Sequence, residues 1–327
     1  MPVAVDAVGG DHAPHEIVAG AAEAAENHGI DVVLIGPPQA VGDTRGLELV
    51  GCTEVIDMHE EGARAVRRKK GASPVVGAEL VRDGRACALV SAGNTGAAVA
   101  AALLRMGRIR GVSRPAIATP LPVPGATPTV LLDAGANPEC QPQWLVQFAQ
   151  MGAAYARARF GIAAPRVALL SNGEEATKGT ATHRAAYDML SGGEVGIRFV
   201  GNVEGGDLLS DAVDVAVTDG FTGNLVLKGL EGATAFVADA MIDAVSSAPE
   251  AQDAAPVLVP TLRALAEALD PETYGGAMLL GVNGVCIIGH GSSSARAIVN
   301  AVVVAREMVD AGLVDALARS IHPNLRQ

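Results

Sequence analysis

The chain has 327 residues, of which 49% are hydrophobic and only 3% aromatic, and its formal net charge is −12. A chain of this length can bury one large core or two smaller ones. The scarcity of aromatic side chains argues against recognition of single-stranded nucleic acid by base stacking, and the negative charge argues against nonspecific binding to nucleic acid or anionic membranes. An anionic partner would therefore need a local basic surface.

The cysteines show no CxxC pair and no Cys/His spacing typical of a zinc site. They are Cys52, Cys87, Cys140 and Cys286. We therefore expect packing cysteines, no metal site and a reducing, cytoplasmic compartment. The chain begins directly with an apolar run, and no stretch of about 18 uncharged apolar residues follows, so we expect neither a signal peptide nor a membrane-spanning helix.

Short runs rich in Val, Ile and Leu alternate along the chain with longer Ala-rich segments. The runs are predicted strands at 3–8, 31–36, 86–91, 129–134, 166–171, 197–201, 213–218 and 284–289. The predicted helices cover 15–28, 96–106, 141–160, 180–191, 224–245 and 293–311. Nearly continuous apolar strands indicate a sheet that is covered on both faces. The alternation predicts a doubly wound α/β fold with a mostly parallel sheet.

Local signals refine two of these helices and one connection between helices. Pro14 suits the first turn of the helix at 15–28, and Asn94 or Thr95 could cap the helix at 96–106. Residues 246–262 contain three prolines between helical segments. We interpret them as a protruding turn between two helices, outside the main sheet.

Glycine and small polar side chains follow most of the predicted strands. These segments are 6–12 (DAVGGDH), 91–96 (SAGNTG), 133–137 (DAGAN), 172–175 (NGEE), 201–205 (GNVEG), 219–224 (DGFTGN) and 290–294 (HGSSS). Ligands of open α/β sheets bind beyond the carboxyl ends of strands. Glycine lets the backbone approach a ligand, and helix N-termini offer free N–H groups to anions. We therefore expect these turns to converge on an anion-binding pocket.

Lysine is rare in this chain. Only four of the 24 basic residues are lysines, and each lies in or beside a glycine-containing segment: Lys69, Lys70, Lys178 and Lys228. A compact ammonium suits a phosphate group as a point charge. This distribution favours a phosphate ligand, although the cluster at 64–71 could equally be a solvated helix face.

Each polar segment also has a purely structural interpretation. Asp133 and Asn137 could form an Asx turn, and residues 91–96 could be a turn followed by a helix cap. His290 could be a hydrogen-bonded core histidine. Asp11 and His12 lack a third ligand in the sequence, so they do not form a metal motif.

Eleven segments occur in an order that is characteristic as a set. They are VDAVGGDHAP (5–14), RRKKGAS (67–73), LVSAGNTGA (89–97), RPAIATPLP (114–122), LLDAGAN (131–137), VQFAQMG (146–152), NGEE…KG (172–179), GNVEG (201–205), TDGFTGN (218–224), LDPETYGGAMLLGVNG (269–284) and GHGSSSARAI (289–298). The ordered set resembles the PlsX family of bacterial phosphate acyltransferases, over nearly the whole chain. Val8 stands where the family usually has methionine, and Ser171-Asn172 replaces a more usual Asn-Ile pair.

The resemblance implies an enzyme that converts acyl-acyl-carrier-protein and inorganic phosphate to acyl-phosphate and free carrier protein, feeding phospholipid synthesis. It implies a fold similar to isopropylmalate dehydrogenases and phosphate acetyltransferases, with 1–327 as one catalytic chain of two lobes sharing a cleft. It also implies a homodimer, no metal and no nucleotide cofactor. A glycerol-3-phosphate acyltransferase is the expected downstream partner.

The resemblance further implies peripheral contact with the inner face of the cell membrane through a protruding helical hairpin at about 238–270. Val257, Leu258 and Val259 lie near its tip and could insert shallowly, whereas Glu250 and Asp253 there are acidic. Lysine, which would attract anionic lipid, is missing from this segment.

The implied reaction makes modest chemical demands. Phosphate loses its second proton near pH ~6–7, and a leaving thiol has a pKa of about 8.5. Direct displacement therefore needs positioning and oxyanion stabilisation more than strong acid–base catalysis. No covalent intermediate is needed, and the sequence contains no GxSxG elbow.

The predicted roles of individual residues follow from this chemistry. Catalytic roles are predicted for Asp6, Asp11, His12, Lys178, Asn224 and His290. Phosphate is predicted to bind Ser91, Asn94, Thr95 and Lys178, and the substrate cleft to contain Asp133, Asn137, Asn202 and Asp219. The acidic carrier protein is predicted to dock on Arg64, Arg67, Arg68, Lys69 and Lys70. Candidates for an acyl groove are Leu103, Leu104, Met106, Met278, Leu279 and Leu280.

Three alternatives stay open at this point. A phosphate acetyl- or butyryltransferase would use a coenzyme A thioester and needs an adenosine-phosphate site. An NAD-dependent decarboxylating dehydrogenase needs an arginine cluster and clustered aspartates, which the sequence does not assemble, and it has no GxGxxG in register. A non-catalytic membrane scaffold would have little use for so many polar strand ends.

Overall fold

A computed structural model describes residues 1–193, 196–248 and 253–321. In this part of the chain, eleven strands form a single sheet. They are β1 (Val3–Asp6), β2 (Val32–Gly36), β3 (Glu48–Gly51), β4 (Ala88–Ser91), β5 (Ala116–Leu121), β6 (Thr129–Leu132), β7 (Arg166–Leu170), β8 (Arg198–Val203), β9 (Val215–Val217), β10 (Ala277–Leu280) and β11 (Val285–Ile288).

Helices surround this sheet, with short 3-10 turns at Gly205–Leu209 and Pro271–Tyr274. The α-helices are α1 (His15–His28), α2 (Pro38–Val41), α3 (Gly62–Arg68), α4 (Ser73–Arg82), α5 (Thr95–Arg105), α6 (Pro142–Phe160), α7 (Ala181–Ser191), α8 (Gly220–Ser247), α9 (Ala255–Ala268), α10 (Ala295–Asp310) and α11 (Leu313–Ile321).

The strand order across the sheet is β3-β2-β1-β4-β11-β10-β5-β6-β9-β7-β8. Strand β10 is antiparallel to β11 and β5, and β5 is antiparallel to β6, whereas the other neighbours are parallel. The strands β1–β4 and β11 therefore form a first strand group, and β6–β9 form a second strand group that runs in the opposite direction. The prediction of a mostly parallel sheet is confirmed.

Apolar cores cover both faces of the sheet. Val3 and Val5 of β1 point into one core, whereas Ala4 points into the other. Helices α1, α6, α10 and α11 pack on the first face, and α3, α4, α5 and the start of α8 pack on the second. This two-sided burial explains the nearly continuous apolar strands and confirms the doubly wound α/β fold.

Each of the eight apolar runs overlaps a strand, and all six predicted helices form. Strands β3, β5 and β10 lie outside the predicted runs. Strand β5 contains Pro120, which lacks an N–H donor and normally argues against a position inside a sheet. Strand β3 is a four-residue edge strand without full burial, so its sequence carries little apolar signal.

The turn predicted at 246–262 is in part wrong. Helix α8 extends to Ser247, and helix α9 begins at Ala255 with Pro256 in its first turn, where a missing N–H group costs little. Pro260 lies inside α9. Residues 249–252, which include Glu250 of the predicted hairpin tip, lie outside the described residues.

Helices α8 and α9 pack against each other and carry exposed apolar side chains. On α8 these are Phe221, Leu225, Phe236, Val237 and Met241, and on α9 they are Val257, Leu258 and Leu265. Among the described residues, no helix combines the length and hydropathy required to cross a membrane.

Two helical glycines provide a matched test of the packing between helices. A Cβ atom on Gly20 of α1 would lie 2.8 Å from the Cβ of Ile298 and would overlap the carbonyl oxygen of Ala295 in α10, whereas a Cβ on Gly229 of α8 meets open space. We expect Gly20→Ala to lower the free energy of unfolding by about 1–3 kcal/mol. Gly229→Ala should raise it by about 0.5–1 kcal/mol. Denaturant titration measures both, and a Gly20→Ala variant as stable as the parent would contradict the close packing of α1 on α10.

Candidate active site

The loops after β1 and β4 meet around the buried carboxylate of Asp6. Asp6 is 2% exposed, and its Oδ2 accepts a hydrogen bond from the Ser91 hydroxyl at 2.8 Å. Gly9 packs on Gly93 so closely that a Cβ on Gly9 would lie 2.7 Å from Asp6 Oδ2 and 2.8 Å from Gly93 N. Only glycine permits this approach, so the two glycines bring the two loops together.

The loop after β11 joins the same place. The N–H of Asp11 donates to the carbonyl of Gly291 at 2.7 Å, and the N–H of Gly289 donates to the carbonyl of Ser91 at 2.9 Å. Asp11 and His12 are exposed beside this junction. The first strand group thus brings Asp6, Ser91, Asp11 and the base of the His290 loop together. The convergence of all seven strand-end segments on one anion-binding pocket stays a prediction.

Both polar atoms of the Asn94 side chain form hydrogen bonds within the protein. Its Oδ1 accepts from the N–H of Ala97 at 2.9 Å, so it caps α5. Its Nδ2 lies within hydrogen-bonding distance of the carbonyls of Asp57, Met58 and Glu60 at 3.2, 3.1 and 2.8 Å. The cap prediction is confirmed for Asn94, whereas binding of phosphate by its side chain stays a prediction.

Ser91 and Thr95, which were also predicted to bind phosphate, differ in solvent exposure. Ser91 is 1% exposed, and its oxygen also accepts from the N–H of Gly93 at 3.3 Å. Thr95 is exposed in the first turn of α5, where backbone N–H groups have no partner inside the helix. The backbone around Thr95 is therefore better placed to meet an anion than the hydroxyl of Ser91.

Asp133, after β6, organises its own loop. It is fully buried, with Oδ1 accepting from the N–H groups of Ile117, Gly135 and Ala136 at 3.0, 3.1 and 2.9 Å. Its Oδ2 accepts from the backbone and side chain of Asn137 at 2.8 and 2.7 Å. These bonds match the Asx-turn interpretation, and a direct substrate role of either side chain stays a prediction.

Helix α8 begins directly beyond this loop. Asp219 caps the helix through the N–H and hydroxyl of Thr222, each at 2.9 Å, and the N–H of Gly220 donates to the carbonyl of Asn137 at 2.7 Å. Asn224, one turn later, is exposed and faces Gly135, where an added Cβ would lie 3.7 Å from its Oδ1. The second strand group thus brings Asp133, Asn137, Asp219 and Asn224 together.

Lys178 lies in the loop after β7. Its Nζ is 3.9 Å from Glu175 Oε2, and its side chain is 44% exposed. The buried Asn202 supports this loop by donating from Nδ2 to the carbonyl of Glu175 at 2.9 Å. The ion pair and hydrogen bonds described for Lys178 stay within this loop and reach none of Ser91, Asn94 and Thr95, so a joint phosphate site stays a prediction.

A hydrogen bond links the two strand groups. Nζ of Lys228, in α8, lies 2.9 Å from Nε2 of His290, in the loop after β11. Lys228 stands one turn after Asn224 on the same side of α8. The sequence assigned no role to Lys228, and the only signal that pointed to it was its membership among four lysines.

The predicted docking cluster is partly neutralised. Arg68 and Lys69 both pair with Glu60, at 2.8 and 2.5 Å, and Lys69 also donates to a backbone carbonyl at 2.7 Å. Arg64, Arg67 and Lys70 are exposed and make no ion pair with the described residues. Helix α3 packs through Gly62 against the start of α5 and the Asn94 side chain.

The acyl-groove candidates are mostly core residues. Met106, Met278, Leu279 and Leu280 are at most 6% exposed and belong to the two apolar cores, so that prediction is wrong for them. Leu104 is 49% exposed. Among the described residues, no group of three or more His, Cys, Asp or Glu side chains could hold a metal ion.

Comparisons with known proteins agree on one family. The model of the family described as "Fatty acid synthesis protein" matches residues 1–316. A phosphate acyltransferase of Pelotomaculum thermopropionicum is 50% identical over 98% of this chain and 95% of its own length. One of Heliobacterium modesticaldum is 50% identical over 98% of both chains.

Solved structures share the fold at low identity. A phosphotransacetylase from Streptococcus pyogenes matches with a TM-score of 0.64 at 17% identity, covering 95% of this chain and 94% of that chain. A 4-hydroxythreonine-4-phosphate dehydrogenase from Klebsiella pneumoniae matches with a TM-score of 0.54 at 12% identity, covering 94% and 99%. At these identities the likeness concerns the fold alone.

The buried carboxyl of Asp6 predicts a pH-dependent stability. Burial raises the pKa of Asp6, against hydrogen bonds from Ser73 and Ser91 that lower it. As the pH rises from about 3.9 towards the folded-state pKa, the unfolded chain loses this proton while the folded chain keeps it, so stability falls. We expect Asp6→Asn to gain stability relative to the parent through this window, by up to about 1.4 kcal/mol per pH unit.

Denaturant titrations between pH 4 and 7 measure this difference. Asp239→Asn, which removes an exposed carboxylate of α8, is the control for charge loss. If the stability difference between Asp6→Asn and the parent does not change with pH, the raised pKa of Asp6 is contradicted.

Proposed function

Because the chain belongs to the PlsX family of phosphate acyltransferases, we propose that it transfers the acyl group of an acyl-acyl-carrier-protein to inorganic phosphate. The chain is an acyltransferase, and its proposed acyl donor is the thioester bound to the carrier protein. The observation that carries the proposal is the junction of three strand-end loops at Gly9, Gly93 and Gly291, next to the exposed His290. The first turn of α5 at Thr95 follows the loop that carries Gly93, and its backbone N–H groups without a partner inside the helix are suited to hold an oxyanion.

The cysteine chemistry supports direct displacement. Burial raises the pKa of Cys52 to about 11 and the pKa values of Cys140 and Cys286 to about 12. Burial also raises the pKa of Cys87. These thiols are protonated at neutral pH and are poor nucleophiles, so none of the four favours an acyl-enzyme intermediate.

In the proposed step, an oxygen of HPO₄²⁻ attacks the thioester carbonyl carbon, the C–S bond breaks, and the sulfur leaves with the electron pair. The proton of the phosphate ends on the thiol, so the products are an acyl-phosphate dianion and the free carrier thiol. Asp11, His12 and the backbone at Thr95 are proposed to orient phosphate, with Asp6 and Ser91 holding the loops. Lys178 is proposed to contribute charge.

The thioester is proposed to enter from the side of α8. Asn224, on α8, and His290, after β11, are both exposed, and Nδ2 of Asn224 is proposed to donate a hydrogen bond to the thioester carbonyl. Asp133, Asn137, Asn202 and Asp219 are proposed to shape this side through the loops that they support. The two lobes would then correspond to the two strand groups, with the cleft between them.

The carrier protein is proposed to dock on α3. Arg64 and Arg67 of α3, and Lys70 just beyond its end, are exposed cations, and α3 packs through Gly62 against the start of α5. On a chain of net charge −12, such a local basic surface is what an acidic protein requires.

The α8–α9 hairpin is proposed to serve assembly. Its exposed apolar side chains, such as Phe236 at 73% and Val257 at 70%, suit a second copy of the chain or shallow contact with the inner face of the cell membrane. A homodimer at the membrane would place acyl-phosphate near a glycerol-3-phosphate acyltransferase, the proposed consumer of the product.

The central test is phosphate-dependent release of thiol from acyl carrier protein thioester. We expect acyl-phosphate formation only when phosphate is added, and slower turnover with acyl-coenzyme A. Asn224→Ala should lower kcat by roughly 100-fold, because one oxyanion donor is removed. Thiol release without phosphate would refute the proposed reaction, and equal efficiency with acyl-coenzyme A would refute the carrier preference.

The docking surface has its own test. Arg64→Glu with Arg67→Glu should raise KM for the acylated carrier roughly tenfold at low salt and flatten its salt dependence, because like charges then face each other. Phosphate KM should stay unchanged. Arg45→Glu with Arg85→Glu, two exposed arginines outside α3, is the matched control. An unchanged carrier KM in the α3 variant would exclude this surface.

A further inference from the structure

Lys228 occupies an unusual position between the two strand groups. Its Nζ lies 2.8 Å from Glu231 Oε2 on the same helix and 2.9 Å from His290 Nε2 across the junction. Its side chain is 47% exposed. A long cationic side chain is thereby held in one place without being withdrawn from solvent.

The contacts of Lys228 show how many N–H bonds of its ammonium group already have an acceptor. An ammonium group only donates, so Nε2 of His290 must be the acceptor. The other ring nitrogen, Nδ1, lies 2.6 Å from the Ser292 hydroxyl and 3.3 Å from the Ser292 backbone nitrogen, so Ser292 holds the imidazole ring from its far side. Glu231 and His290 take two of the three N–H bonds of Lys228, which leaves one N–H for a further acceptor.

The contact with His290 places the Lys228 ammonium beside the loop that follows β11. The loop that carries His290 is bonded to Asp11 through Gly291 and to Ser91 through Gly289. Asn224 precedes Lys228 by one turn of α8. By contrast, the ion pair and hydrogen bonds described for Lys178 stay within its own loop, with Glu175.

We propose that Lys228 is a phosphate-binding residue of this enzyme, with its third N–H donating to an oxygen of inorganic phosphate while Glu231 and His290 hold the ammonium in place. This inference rests on the proposed function, because it assigns a cation that binds the phosphate nucleophile of that reaction. A charged donor to phosphate forms a short, strong hydrogen bond, and a fixed donor loses little conformational freedom when the anion arrives.

The test is a kinetic comparison at varied phosphate and varied acyl carrier protein thioester. We expect Lys228→Met to raise phosphate KM by at least roughly tenfold, the loss of one charge-assisted hydrogen bond, with carrier KM unchanged. Lys228→Arg should recover part of the loss because it retains charge. Arg85→Met, which removes an exposed positive charge from the turn after α4, is the control and should leave both constants unchanged.

Direct binding separates this inference from the proposed function. Titration of inorganic phosphate into the full chain without thioester, followed by calorimetry, should show binding to the parent and Lys228→Arg and at least tenfold weaker binding to Lys228→Met. That pattern supports the inference even if no acyl transfer is found. Unchanged phosphate affinity in Lys228→Met overturns it even if the parent transfers acyl groups to phosphate, as does a selective rise in carrier KM.

Discussion

The reversal of strand direction at the centre of the sheet is the constraint on which the arrangement of the site depends. Strand β10 is antiparallel to β11 and β5, and β5 is antiparallel to β6. The carboxyl ends of the two strand groups therefore point in opposite directions along the sheet, and so do the loops that follow them. A separate element must therefore connect the two sets of loops. Helix α8 does so: it begins at Gly220, beyond β9, and about 12 Å further along its axis Lys228 contacts His290 beyond β11.

Polar residues at the strand ends divide into two kinds once their hydrogen bonds are known. Asp133 and Asn94 form hydrogen bonds mainly with backbone groups of their own and adjoining segments, so they fix the positions of those segments. Asn224, Lys228 and His290 are exposed, and Lys228 retains donor capacity. The first kind stabilises the shape of the site, and the second kind can meet a ligand, although asparagine occurs in both, as Asn94 and Asn224 show.

This division explains how far sequence reasoning extends. Apolar runs identify strands such as β1 and β11 because burial on both faces leaves a continuous apolar signal, but such runs carry no information on strand direction. The sequence did not predict strand β5, because Pro120 is typical of a break in a strand. It did not predict the start of α9, because Pro256 suits a turn as well as a first helical turn. The partner of Lys228 is 62 residues away, and only the folded sheet brings it within reach.

The choice of lysine at position 228 has a physical reason in a chain whose basic residues are mostly arginines. An arginine there would present a planar fork that engages Glu231 with two parallel N–H groups and directs its remaining donors in the same plane. An ammonium directs three N–H bonds towards the corners of a tetrahedron. It can therefore bond Glu231 on its own helix and His290 on the other strand group, and still offer a donor to an oxyanion between them.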